Sequence, residues 1–177
     1  MRATSIAGLL AFVLSASASH VRAEDVRIPV PGGGALVLPA PEGWRSSLRP
    51  GPGPTVSLTP PSGNSFQVLV SPLVAADGRV APASRESLRR LVEAGASHAK
   101  PQAVEAVLPI KSFGSGEAQG HYFSATDRAP GPGEFKYMTQ GALSVHGLPV
   151  AFTILSNGNP QAAIEPALRM LAGARKE

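Results

Sequence analysis

The chain contains no cysteine. That absence excludes a disulfide framework, thiol catalysis and any cysteine-ligated metal. It also excludes a lipoprotein-type anchor, which is attached to a cysteine at the leader cleavage site. Aromatic residues are few, with six Phe, two Tyr and one Trp among 177 residues, so there is no set of rings on which nucleic-acid bases would stack. Basic charge is not concentrated either. The net charge is +4, the Lys and Arg residues are scattered, and only Arg85, Arg89 and Arg90 form a cluster. A nucleic-acid binder needs a dense basic face, and none is visible. Internal repeats and low-complexity tracts are missing as well.

Catalytic motifs are equally sparse. His98, His121 and His146 show no His-x-His or His-x-x-x-His spacing, so a shared metal site with Asp127 or Glu134 has little to build on. No serine sits in Gly-x-Ser-x-Gly. The nearest approach, Phe113-Gly114-Ser115-Gly116, reads as a flexible loop. Asp127 and Glu134 could pair for glycoside cleavage, but nothing else in the chain supports that chemistry. Gly32-Gly33-Gly34 is not followed by a helix and so is no phosphate cradle. No catalytic residue, metal or cofactor is expected.

What is present begins at the N-terminus. Arg2 gives a positive start, Ile6 to Leu14 is apolar, and small residues follow from Ser15 to Ser19. This is the three-part layout of a secretory signal peptide, and the apolar run is too short to span a bilayer. Cleavage fits after Ala18 or after Ala23. The second is preferred because Glu24-Asp25 and the first strand-like run begin there. Removing Arg2 and Arg22 with the leader leaves a net charge of +2. The expected product is a soluble periplasmic or secreted protein with no stable membrane anchor, comprising one domain over residues 24–177. A chain of roughly 150 residues buries about two-thirds of its unfolded surface, so a cysteine-free core is no handicap.

Proline and glycine (18 and 19 residues) punctuate short apolar runs, as turns do in strand-rich folds. Val26–Val30 and Ala35–Leu38 flank the triple glycine as a hairpin. Pro41-Glu42-Gly43-Trp44 forms a turn, with Trp44 expected to anchor the core rather than to face a ligand. Arg45–Arg49 reads as a short edge strand. Thr55–Thr59 and Ser65–Val70 follow with period-two patterning, directing Val56, Leu58, Phe66, Val68 and Val70 inward. From Ser84, a plausible N-cap, to about His98 the pattern becomes helical, with Leu88, Leu91 and Val92 on the apolar side. Gly95 weakens its last turn, and Pro101 closes it.

Strands return at Val104–Phe113, with Pro109 demoting the middle to an edge or bulge, and at Ala118–Thr126. Phe135, Tyr137, Leu143 and Val145 then share one face of a long strand. Leu148, Val150, Phe152 and Ile154 share one face of the next. With His146-Gly147 as a two-residue turn, Val145 opposes Leu148, Leu143 opposes Val150 and Gly141 opposes Phe152. Asn159 caps a final helix, with Pro160 at its first position. Ile164, Leu168 and Leu171 form its stripe, and Pro166 is expected to kink it. The fold class is therefore α+β: an antiparallel β-sheet packed with a mid-chain helix and a C-terminal helix.

Three features resemble the PsbP-like fold family, whose founding member is an extrinsic accessory protein of photosystem II. They are the Pro41-Glu42-Gly43-Trp44 turn after a first hairpin, the mid-chain helix, and the hairpin Glu134–Ser156 running into a helix with Ala167-Leu168-Arg169-Met170-Leu171. The resemblance covers most of the mature chain and is architectural. It implies an α/β/α-type sandwich and an accessory or binding role, and it carries over no functional residue.

The best candidate surface is the loop Asp127–Glu134 with the strand that follows it. Prolines stiffen the loop, and Asp127, Arg128 and Glu134 charge it. Lys136, Met138 and Gln140 alternate with Phe135 and Tyr137 and so point away from the predicted core. Rigid charged loops on a firm scaffold make good contact surfaces, and the expected partner is an unidentified protein. The alternative is a small-molecule carrier or hydrolytic enzyme, with a pocket between sheet and helix. A solid apolar interface there favours the first reading and an open cavity with polar groups favours the second.

Overall fold

A computed structural model describes residues 24–49, 53–61, 66–75, 79–80 and 83–177. The leader, residues 1–23, and both of its expected cleavage contexts lie outside the described residues, as do parts of the turns near residues 51 and 63.

Among the described residues, ten strands and two α-helices form an α+β fold. Strands β1 (Glu24–Pro29) and β2 (Ala35–Ala40) make the first hairpin across Gly32–Gly34. Strands β3 (Arg45–Arg49), β4 (Thr55–Thr59) and β5 (Phe66–Pro72) make a meander. Helix α1 (Arg85–Ala99) follows. A second meander is built from β6 (Lys111–Ser115), β7 (Ala118–Thr126), β8 (Tyr137–Val145) and β9 (Leu148–Ser156). Helix α2 (Pro160–Ala172) and the short β10 (Arg175–Lys176) end the chain.

The two meanders join where β5 pairs with β9, giving one antiparallel sheet in the order β3-β4-β5-β9-β8-β7-β6. A smaller sheet has the order β1-β2-β10. Pairing alternates the side chains between two faces. On one face Val56, Leu58, Phe66, Val68, Val70, Leu143, Val145, Val150, Phe152 and Ile154 pack with Ala163, Ala167, Met170 and Leu171 of α2 and with Ile28, Leu36 and Leu38 of the small sheet. On the other face Phe123, Ala125 and Ala142 pack with Leu88, Val92 and Ala96 of α1.

The hairpin β8–β9 has the register its sequence dictates: Val145 opposes Leu148, Leu143 opposes Val150 and Gly141 opposes Phe152. His146 has φ 49° and Gly147 φ 81°, the positive pair that a tight hairpin turn requires. Because Gly141 has no side chain, the Phe152 ring lies over its backbone and meets Phe113 edge-on at 5.5 Å. Trp44 is half-buried and meets Phe66 edge-on at 5.3 Å, as an anchor does. Ser84 Oγ accepts from Ser87 N–H at 3.0 Å, capping α1. Asn159 Oδ1 accepts from Gln161 N–H, capping α2.

Several expectations are corrected. The segment 104–110 is not a strand: Val104 N–H donates to Thr126 O at 2.9 Å, but the ladder with β7 starts at Lys111. Val104 and Val107 are 59% and 71% exposed. The segment is tied down instead by Glu105, whose carboxylate accepts from Thr126 N–H at 2.9 Å and from its Oγ1–H at 2.7 Å. Burial opposes the charge on Glu105, but the two bonds from Thr126 outweigh it and hold the carboxyl below its ordinary pKa.

In α1 the buried stripe is Leu88, Val92 and Ala96, an i, i+4 row, whereas Leu91 is 48% exposed at its margin. The helix ends where expected, at Ala99, before a 3₁₀ turn at Lys100–Gln102 carrying Pro101. Helix α2 runs through Pro166 as one element. The carbonyl that Pro166 cannot pair with belongs to Ala162, an exposed residue open to water, and burial of Ala163, Ala167, Met170 and Leu171 outweighs the missing bond. Phe135 precedes β8 rather than belonging to it. His121 lies in the middle of β7 and is 3% exposed. Strand β10, too short to carry a pattern, was not anticipated by periodicity.

Candidate functional site: a groove beside α1

Helix α1 lies across β7 and β8, and among the described residues it does not extend over β9 and β5. The result is a groove of about 650 Å³ between helix and sheet. Leu91, Ala94, Gly95, His98 and Ala99 form its helix wall, Met138, Gln140, Ala142 and Ala151 its floor, and Leu73 and Gln102 its ends. A smaller hollow of about 110 Å³ shares Ala99, Gln102 and Met138 with it and continues to Ala125 and Asp127.

Small residues create this space. A side chain at Gly95 would bring Cβ to 3.3 Å from Gln140 Oε1 and 3.4 Å from the Phe123 ring, so glycine there lets α1 settle closely onto β7 and β8. Ala142 and Ala151, paired in the β8–β9 ladder, do not rise to meet the helix. Phe123, fully buried, closes the deep side.

The lining is mostly apolar, with three polar side chains: His98, Gln102 and Gln140. No Lys, Arg, Asp or Glu lines the larger cavity among the described residues. Nor does any group of three or more His, Asp or Glu among them converge as a metal site. No helix among the described residues is long and apolar enough to cross a membrane.

The six residues singled out by sequence separate into two sets. Met138 and Gln140 line the groove, and Asp127 lies at its narrow end. Met138 is not on a free surface as expected, because α1 covers it and it packs against the second core. Arg128, Glu134 and Lys136 instead hold the loop. Arg128 Nη2 donates to Ala103 O at 2.8 Å. Glu134 Oε2 accepts from Gly131 N–H at 2.8 Å. Lys136 N–H donates to Asn157 Oδ1 at 2.8 Å, and its ammonium sits 5.4 Å from the Tyr137 ring centroid. Asp127 Oδ1 caps the Ala129 N–H at 2.9 Å.

Sequence reasoning did not find Leu73, Gln102 or Ala151. The available signal was the clustering of Ala94, Gly95 and Ala99 on one side of a helix, which leaves room rather than filling it.

Beyond the groove, His121 faces α1. Its Nδ1 lies 3.1 Å from Ser112 Oγ, and its Nε2 is buried without a partner. Burial lowers its pKa, with Arg85 and Arg89 lowering it further. The ring is neutral near pH 7 and serves as a core residue.

A scan against protein-family models finds no match to this chain, and a search of the curated proteins finds none similar to it.

Proposed function

We propose that the chain is an exported, non-catalytic binding protein and that its binding site is the groove beside α1. The observation that carries this reading is a preformed cavity of about 650 Å³, in the size range of ligand sites, lined without the charged or nucleophilic constellation that catalysis requires. A helix on one face of an antiparallel sheet and a second helix on the other accord with the resemblance to PsbP-like accessory proteins. The signal-peptide pattern of residues 1–23 supports export to the periplasm or the medium.

The groove also favours the carrier reading over contact through the charged loop alone, since the Arg128 guanidinium is held by Ala103 O and the Glu134 carboxylate by Gly131 N–H. Deuterium exchange tests the site. Adding soluble extract from the exported fraction should slow exchange over residues 88–99 and 138–142, and Leu91→Glu should reduce that protection. Unchanged exchange in these segments would sink the groove reading. Export itself is tested by N-terminal sequencing of protein recovered from the periplasm, where the expected first residue is Glu24. An intact Met1 there would refute processing.

A further inference from the structure

The groove has a recognisable chemical preference. Its floor is made of interior strands. β8 is paired with β7 on one side and β9 on the other, and β9 is paired again with β5. Their backbone N–H and C=O groups are engaged in those ladders, and those facing from α1 are engaged within the helix. A peptide segment in the groove would therefore find no strand edge to join. Its own amides would have only His98, Gln102 and Gln140 to meet them, and each amide left unpaired opposes binding. An ionised ligand fares no better, because no side chain of fixed charge lines the cavity among the described residues. The apolar contacts on offer, in contrast, suit rings. Leu91, Ala142 and Ala151 offer aliphatic surface, and Met138 a polarisable thioether that packs well against a ring.

We infer that the groove takes an uncharged, mainly apolar small molecule with two or three rings and one or two hydrogen-bonding groups, met by Gln140, Gln102 or His98. This rests on the groove being the binding site, and it adds the ligand class.

Two dyes with a common aromatic frame test it: uncharged N-phenyl-1-naphthylamine, and 1-anilinonaphthalene-8-sulfonate, which adds an anionic sulfonate. Titrated into the folded wild-type protein, the neutral dye should bind saturably at one site, about tenfold or more tighter than the sulfonate, because the anion would be desolvated without a partner. Leu91→Glu alters an exposed rim residue and should keep the melting temperature while weakening the neutral dye about tenfold. Ala151→Phe fills the floor and should weaken both dyes. Equal or tighter binding of the sulfonate overturns the ligand class, as does neutral-dye binding that ignores both substitutions. Extract-dependent exchange protection of the groove without neutral-dye binding also overturns the ligand class, while leaving the groove as a site for a partner of other chemistry. Loss of both signals overturns the site itself.

Discussion

The two faces of the seven-stranded sheet are closed by different means. Toward α2 and the small sheet, large side chains from β4, β5, β8 and β9 interdigitate with Met170, Leu171, Ile28 and Leu38. Toward α1 the cover is one helix, touching the sheet through Leu88, Val92 and Ala96 against Phe123, Ala125 and Ala142. The first face is closed by side chains that are all buried. The second uses alanine and glycine where the first uses leucine and phenylalanine, and it stops short of β9 and β5. One face holds the domain together, and the other leaves about 650 Å³ of usable space.

The largest expected effect is on the filled face. Phe152, 2% exposed, should lose about 3–5 kcal/mol of unfolding free energy when replaced by Ala, because both the transfer and the cavity contribute. Leu91→Ala on the groove side should change stability by less than about 0.5 kcal/mol. Urea melts of the two variants make the comparison, and a Leu91→Ala loss near that of Phe152→Ala would show that the α1 face is packed as tightly as the other.

A smaller effect separates the faces by pH. His121 lies on the α1 face with its pKa lowered from the ordinary 6.5. Below that value the unfolded chain binds a proton that the folded chain resists, so stability falls as pH drops from about 6.5. On the small sheet, the hydrogen bond from Arg175 lowers the Asp25 pKa from its ordinary 3.8, and Arg27 and Arg175 lower that of Glu177 from 4.5. Their contribution is present above those ordinary values and is lost as pH falls below them. The four side chains of these ion pairs are well exposed to solvent, so this second stage should be shallow. Thermal melts from pH 7.5 to 3 should show two stages, and His121→Gln should remove only the first.

How much of this was legible follows from which residues carry it. The β8–β9 hairpin was readable to the residue, because two apolar alternations flank His146-Gly147 and a slip by one position would have turned Val145 and Leu148 to the wrong side. The caps Ser84 and Asn159 were readable because short polar side chains before an apolar period do one local job. Segment 104–110 misled because Val104, Val107 and Ile110 look like a strand, while the bonds that fix the chain there come from Glu105 to a residue 21 positions away. The groove was legible only in part. Met138 and Gln140 were picked for the right strand face, but the space between them and α1 is made by side chains that are small, and no periodicity records where a helix stops covering a sheet.

The three-stranded sheet unites the two extremes of the described chain: β2 is flanked by β1 at residue 24 and by β10 at residue 175. Ala35 and Glu177 exchange backbone bonds of 2.8 and 2.9 Å, and Arg27 reaches Glu177 at 2.6 Å. A two-stranded hairpin is only marginally stable in water. While the chain emerges from a ribosome N-terminus first, the β1–β2 hairpin therefore waits for its third strand until Arg175–Glu177 have emerged. Completion of the small sheet is timed by their arrival, and a chain interrupted before Arg175 would leave the edge of β2 bare.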